Sequence, residues 1–295
     1  MEINISIKNE GTQRGEAQMI YMAMAMYCEA KPFISYLGLK RDGNITRFQV
    51  FKDDEVVLIV SGVGAMASAI ATTYLLTQYK VQHADLFLNI GICGTKHQGI
   101  KKGTALLCHK IIHHDTKKTF YPDMLFRHPF KEGVLETFSR VVDIKVDSEI
   151  EGDIADMEGS GAFQAASVFL PPHHICCIKI VSDYMEGEIL TPDQVSELVQ
   201  HNVEVISTWI RERAAAYVPP FQILTGEEEK QLHTISHNLK LSTTMNHQFK
   251  QLATHYKIRS GNLIEVLQPY LAIECKSKNE GKIHFAKIKE QLTEF

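Results

Sequence analysis

Three carboxylates in this 295-residue chain sit where a folded protein can put them to chemical use. Glu29 follows an apolar run in Ala25-Met26-Tyr27-Cys28-Glu29-Ala30, and Asp183 follows another in Ile180-Val181-Ser182-Asp183-Tyr184. Glu158 lies in Asp156-Met157-Glu158-Gly159-Ser160-Gly161, just ahead of a helical stretch of small residues, 162–168. Strand ends and helix starts are where α/β sheets place their ligand sites. Singly, each carboxylate reads as a helix cap or a surface group. Together they can divide the work of proton donor, proton acceptor and multidentate hydrogen-bond acceptor.

Such residues need a scaffold, and the apolar runs supply one. Segments 19–26, 45–51, 56–60, 86–92, 104–112 and 174–181 are bounded by glycine or charge and have strand-like lengths. Asp53-Asp54 between two of them predicts a hairpin, and 65–76, rich in small residues, predicts a helix packed closely on a sheet. The clearest helix is predicted over 192–215, with Thr191 as N-cap, Pro192 at the first helical position and Gln194 completing a capping box. Its positions Val195, Leu198, Val199, Val203, Ile206, Trp209 and Ile210 share one face. The expectation is an α/β fold with a mixed central sheet and helices on both faces.

Residues 1–18 are polar and read as an extension, with the main domain over 19–218. Beyond Val218-Pro219-Pro220 the chain turns charged and amide-rich with helical spacing and no strand-like run, so 219–295 is expected to be a small all-helical C-terminal region. There Met245, Phe249, Leu252 and Tyr256 have helical spacing that suits packing on the main domain, with the outer face left for a second subunit or another protein.

Composition narrows the class of function. The formal charge of −4, from 31 basic and 35 acidic residues, provides no field for nucleic acid or an anionic membrane, which favours a small-molecule ligand. The six cysteines form no Cys-x-x-Cys pair and lie mostly in apolar runs, the pattern of reduced, buried thiols in a cytoplasmic protein. No apolar run approaches the roughly 20 residues a membrane helix needs.

Five short motifs in order give the chain a resemblance. Ala-Met-x-x-Glu ends the first strand, Ser-Gly-Val-Gly occupies 61–64, Asn-x-Gly-x-x-Gly occupies 89–94, Asp-Met-Glu 156–158 and Ser-Asp 182–183. Over 19–215 the chain resembles the 5'-methylthioadenosine/S-adenosylhomocysteine nucleosidases and the related purine nucleoside phosphorylases. The resemblance implies a three-layer phosphorylase/hydrolase-like fold and cleavage of the bond between a purine-like base and ribose. It also implies a homodimer, since family members often complete each site with a neighbouring subunit.

Cleaving an N-glycosidic bond builds positive charge on the ribose and pushes electrons into the base, so a site needs an acid at the base and an anion near the sugar. By resemblance, Asp183 protonates the purine N7, which requires it to hold a proton near neutrality. Glu158 accepts hydrogen bonds from the ribose hydroxyls, helped by the backbone of Met157, and Glu29 orients or deprotonates the attacking water. Gly91, Ile92 and Ser182 complete the expected substrate-binding set. These carboxylate roles call for no metal or organic cofactor.

Phosphorolysis would need arginines and amides for a dianion, and the bacterial phosphorylases carry arginine where this chain has Asn89. Asn89 and Glu29 together favour water, with Lys31, Arg41, Arg47 and Arg127 as possible phosphate ligands. The alternatives are therefore a purine nucleoside phosphorylase and a non-catalytic nucleoside-binding module of the same fold. Three departures bear on them. Ile92 replaces the family's usual serine, Lys179 replaces its arginine, and 146–155 is shorter than the stretch that carries an adenine-stacking aromatic. Phe120, Tyr121, Phe126 and Tyr184 are candidate replacement rings.

Other patterns read as structural. Gly62-Val63-Gly64-Ala65-Met66-Ala67 matches a loose dinucleotide fingerprint, but Asp85 precedes its strand where a ribose-binding acid would follow one, leaving a tight turn beside a packed helix. His113-His114-Asp115 and the pair His233 and His237 lack a metal ligand set, although the first group follows a strand and could line a substrate mouth.

Overall fold

The computed structural model describes residues 18–146, 149–216 and 223–293. The polar extension, apart from Gln18, and Val218-Pro219-Pro220 lie outside the described residues. The chain divides into two compact units, Met1–Pro219 and Pro220–Phe295.

In the first unit the order is β1 (Ile20–Met24), α1 (Tyr27–Leu37), β2 (Lys40–Arg41), β3 (Gln49–Lys52), β4 (Val56–Val60), α2 (Ala65–Gln78), β5 (Leu86–Thr95), β6 (Ala105–His113), β7 (Thr119–Phe120), β8 (Lys131–Thr137), β9 (Ile154–Asp156), α3 (Gly159–Ala166), β10 (Ile175–Asp183) and α4 (Pro192–Ala215). β1, β5 and the first half of β10 read as continuous apolar runs because both their faces are covered. Tyr21, Ala23, Val57, Ile59 and Phe87 pack with Ala71, Leu75, Ala162 and Phe163 of α2 and α3. The alternate residues Ile20, Met22, Leu58 and Leu88 pack with Phe33 of α1 and Val199, Val203 and Ile206 of α4. This alternation, two residues per repeat, produces the three layers.

The sheet is mixed. β1 lies between β4 and β5, parallel to both, and β5 is parallel to β10. The β3–β4 hairpin forms as expected, with Asp53 Oδ1 accepting from the Glu55 and Val56 amides. Beyond β10 the sheet curls: β10 pairs with β6, β6 with β8, β8 with β9, and β9 returns to the last residues of β5. β5 manages both partners because it is long, pairing with β1 and β10 over its body and with Ala155 and Ile154 at Gly94 and Thr95. The closure brings the carboxyl ends of β5, β9 and β10 together, with the start of α1 beside them.

The second unit comprises α5 (Gly226–Asn238), α6 (Thr243–Ser260), α7 (Leu263–Leu267) and α8 (Lys278–Thr293). Met245, Phe249, Leu252 and Tyr256 are helical, but they pack into a core made by this unit alone, with Leu232, Ile235, Leu263 and Ile288. α5, α7 and α8 supply the apolar surface against which the α6 stripe packs.

Candidate active site

A cavity of about 330 Å³ opens at the strand ends of the first unit and is lined by Glu29, Glu158 and Asp183. Each carboxylate is held by backbone geometry that its local sequence dictates.

Glu29 sits in the first turn of α1, where Oε2 accepts from the Met26 amide at 2.8 Å in the manner of a capping carboxylate. Its other oxygen crosses to β5 and accepts from the Ile92 amide at 2.9 Å. Gly91 makes this reach possible, since a Cβ there would lie 2.9 Å from Glu29 Oε1 and 3.6 Å from Lys179 Nζ. Burial raises the affinity of Glu29 for its proton, opposed by the two amides and by the Lys179 charge.

Glu158 follows β9, and its Oε1 accepts from the Gly64 amide at 2.8 Å. Gly64 has φ +103° and caps α2, so the glycine turn delivers both a free amide and the positive end of a helix to this carboxylate. α2 comes close enough because Gly161 of α3 has no side chain: a Cβ there would stand 2.0 Å from the Ala65 carbonyl. Burial, and then the charge of Asp156, push the Glu158 carboxyl up to about 7.

Asp183 ends β10 at a bulge, where pairing with β5 skips from Val181 opposite Cys93 to Asp183 opposite Gly94. The extra residue re-aims the strand end. The Asp183 carboxylate is fixed on both sides, Oδ1 by the Met185 amide at 2.8 Å and Oδ2 by the Ser182 hydroxyl at 2.6 Å. Ser182 also lies 3.0 Å from the Cys93 carbonyl, which ties the acid to β5. A Cβ on Gly94 would reach within 2.9 Å of Asp183 Oδ1, so glycine is needed opposite it.

Beneath the carboxylates lies an ion pair that the sequence reading passed over. Lys179 Nζ stands 2.7 Å from Asp156 Oδ2, with both side chains inaccessible to solvent. Asp156 is fully occupied, accepting also from the Thr137 hydroxyl and the Gly159 amide. Burial alone would strip the Lys179 proton, but Asp156, with smaller help from Cys177 and Glu158, holds it well above the ordinary range. The signal was present: a lysine within Ile-Cys-Cys-Ile-Lys-Ile-Val must find a buried carboxylate. Asp156 offered itself two residues before Glu158.

Of the other expected site residues, Met157, Ile92 and Ser182 line the cavity, while Gly91 lies behind its wall against Glu29. Asn89 also stays in the sheet, donating from Nδ2 to the Ala23 carbonyl and accepting from the Cys177 thiol. None of Lys31, Arg41, Arg47 or Arg127 lines the cavity. The candidate stacking rings are elsewhere too. Phe120 packs on Phe163, Phe126 faces Arg213, Tyr184 faces Lys102, and Tyr121 is exposed outside the lining. Among the described residues the lining contains no aromatic ring; Val141, Val142, Ala155 and Met185 occupy the wall beside Asp183.

His113, His114 and Asp115 do not reach the cavity. His113 accepts from the Thr116 amide, and His114 pairs with the buried Glu136 at 2.7 Å while stacking on Phe138. Asp85 caps the amino end of β5 through the Met19 and Gln82 amides, away from the carboxyl ends where the site lies.

A family model described as the phosphorylase superfamily matches residues 21–149, which carry β1 to β8, Glu29 and the Gly64 turn. That match lies within the first unit and covers less than half of the chain. Individual proteins of known name are similar to this chain as well. A 5'-methylthioadenosine/S-adenosylhomocysteine nucleosidase of Staphylococcus aureus (strain MRSA252) is 28% identical over 171 residues, spanning 47% of this chain and 73% of that protein. The apo structure of Arabidopsis thaliana 5'-methylthioadenosine nucleosidase superposes with a TM-score of 0.57 at 16% identity, covering 68% of this chain and 98% of the other. Futalosine hydrolase of Helicobacter pylori gives 0.53 at 19% identity, covering 66% and 98%. At such identities the structures establish the fold alone, and the chemistry has to come from the cavity. Among the described residues no helix is long and apolar enough to cross a membrane.

Proposed function

We propose that this chain is a nucleosidase of the phosphorylase superfamily that hydrolyses the N-glycosidic bond of a purine nucleoside. The observation that carries the reading is the convergence of Glu29, Glu158 and Asp183, from three separate segments, on one cavity. With the base beside Asp183 and the ribose over Met157 and Glu158, Asp183 takes up a proton from solvent at the oxygen it shares with the Ser182 hydroxyl and passes it to the base as the bond to C1' breaks. Glu158 accepts hydrogen bonds from the ribose hydroxyls and opposes the positive charge that develops there. Water adds to C1' and passes a proton to Glu29, giving free base and ribose. Each oxygen of Glu29 accepts one amide and keeps a lone pair for that water.

Water is favoured over phosphate by the distribution of cations. Lys179 is committed to Asp156, and Arg140 is the basic residue of the described lining, short of the several donors a dianion calls for. A catalytic protein is favoured over a mere binder because the Ile92 departure costs Glu29 nothing: the bond comes from the Ile92 amide, which any residue supplies. Aliphatic Ile189, Leu190 and Val195, near Cys28 and Met26 in the lining, suit an apolar 5' substituent, as in 5'-methylthioadenosine or the related S-adenosylhomocysteine.

The test is incubation with a panel of nucleosides, with and without phosphate, read as release of free base. Wild type should release base without phosphate, and Asp183→Asn should lower kcat by about 10²–10⁴ fold, the usual worth of a positioned acid. Equal release by both proteins would overturn the assignment, and strict dependence on phosphate would make the chain a phosphorylase.

A further inference from the structure

We propose that the second unit carries a metal site of its own, in which Cys275, Glu280 and His284 bind a zinc-class divalent cation. The thiol sulfur, a carboxylate oxygen and an imidazole nitrogen of these residues all lie within 4.8 Å of one another. Bonds of about 2.0–2.3 Å to a tetrahedral zinc put ligand atoms roughly 3.3–3.8 Å apart, so about 1 Å of side-chain adjustment closes the set.

The placement follows from the backbone. Glu280 and His284 are four residues apart on α8 and share a face. Cys275 arrives just before that helix, anchored by its amide to the Asn238 carbonyl at the end of α5 at 3.0 Å. α8 is drawn against the same place by Gly281, where a Cβ would stand 1.8 Å from the Leu239 carbonyl. The three donors are therefore carried by segments locked together at one point, and order is what a metal site requires before binding. Glu280 Oε2 accepts the Lys276 amide at 2.8 Å, which orients the carboxylate and leaves its other oxygen for the cation.

The donor set selects the metal. A thiolate excludes magnesium and calcium, while one sulfur, one nitrogen and one oxygen suit zinc. Cys275 is buried, Glu280 exposed and His284 between the two, so the cation would sit at the rim of the core with a fourth position open to water. On binding, the Cys275 thiol releases its proton to solvent and its sulfur takes the metal bond. A cation there would staple the loop before α8 to the helix itself, a device small units use where their core is limited.

Full-length protein, dialysed against a chelator and titrated with cobalt(II), tests this directly. Wild type should develop a thiolate-to-cobalt charge-transfer band at one cobalt per chain, bleached by added zinc, and zinc should raise its Tm. Cys275→Ser should lose the band, and His284→Gln, at a half-exposed position that leaves folding intact, should bind at least about tenfold more weakly. Absence of the band in wild type, its persistence in Cys275→Ser, or undiminished affinity in His284→Gln would each overturn the site.

Discussion

The floor and the base-side wall of the cavity are built on opposite principles. Under Glu29 and Glu158, each charged side chain is tied down: Lys179 to Asp156, Asp156 to Thr137 and Gly159, Glu158 to Gly64, and Glu29 to Met26 and Ile92. Beside Asp183 the wall is aliphatic, with Phe138, Val142, Ala155 and Met185 forming a small cluster and Val141 open to solvent. In the proposed reading the floor fixes where a ribose and its nucleophile lie, whereas the wall offers a base only shape and apolar contact.

The largest expected effect comes from breaking the floor. Lys179→Met removes one partner of a buried pair and leaves Asp156 charged without compensation, which should cost about 3–5 kcal/mol in urea denaturation. Lys179→Arg keeps the charge and should recover most of that loss. If Lys179→Met is as stable as wild type, the ion pair is not what holds the two sides of the floor together.

Glu158 gives a smaller, pH-dependent effect. Its carboxyl releases its proton at about 7 in the fold against an ordinary value of 4.5, so the folded state binds that proton more tightly than the unfolded chain does. Stability from this group is full below 4.5 and is lost as pH rises toward 7, by on the order of 2–3 kcal/mol. Glu158→Gln should remove that slope in denaturation measured across the interval. In the wild-type enzyme kcat/KM should rise with pH through about 7 as the carboxylate that accepts the ribose hydroxyls forms, and that rise should be missing in Glu158→Gln.

Floor and wall also differed in how far the sequence revealed them. Glu29, Glu158 and Asp183 were visible because each adjoins a strong apolar run or a glycine turn. β10 was visible for the same reason, and the α4 helix because Thr191, Pro192 and Gln194 spell its start. β8 was not, since Lys-Glu-Gly-Val-Leu-Glu-Thr has no apolar run; its Glu136 is nevertheless completely buried, satisfied by the Glu151 and Gly152 amides and by His114. β9 is three residues long and exists only because β5 and β8 close around it. Long-range pairing of this kind leaves no periodic trace, so the curl that brings Asp156 under Lys179, and the wall that follows β8, emerged only in three dimensions.

The wall supplies the smallest effect and the finest test of the comparison. Val141 lines the cavity yet is 69% exposed, so a larger side chain there can extend along the wall without displacing packed neighbours. Phe138, in the cluster behind the wall, is already buried against His114 and is unavailable to a ligand. Val141→Phe therefore adds an aromatic face where the aliphatic wall has none. A base seated beside Asp183 should stack on it and lower KM by about tenfold, the low end of what one base–aromatic contact contributes, while kcat, set by the floor and by Asp183, stays within about twofold. Steady-state kinetics on the best nucleoside of the panel separates the two quantities. A fall in kcat with KM unchanged would mean that the base does not lie against this wall.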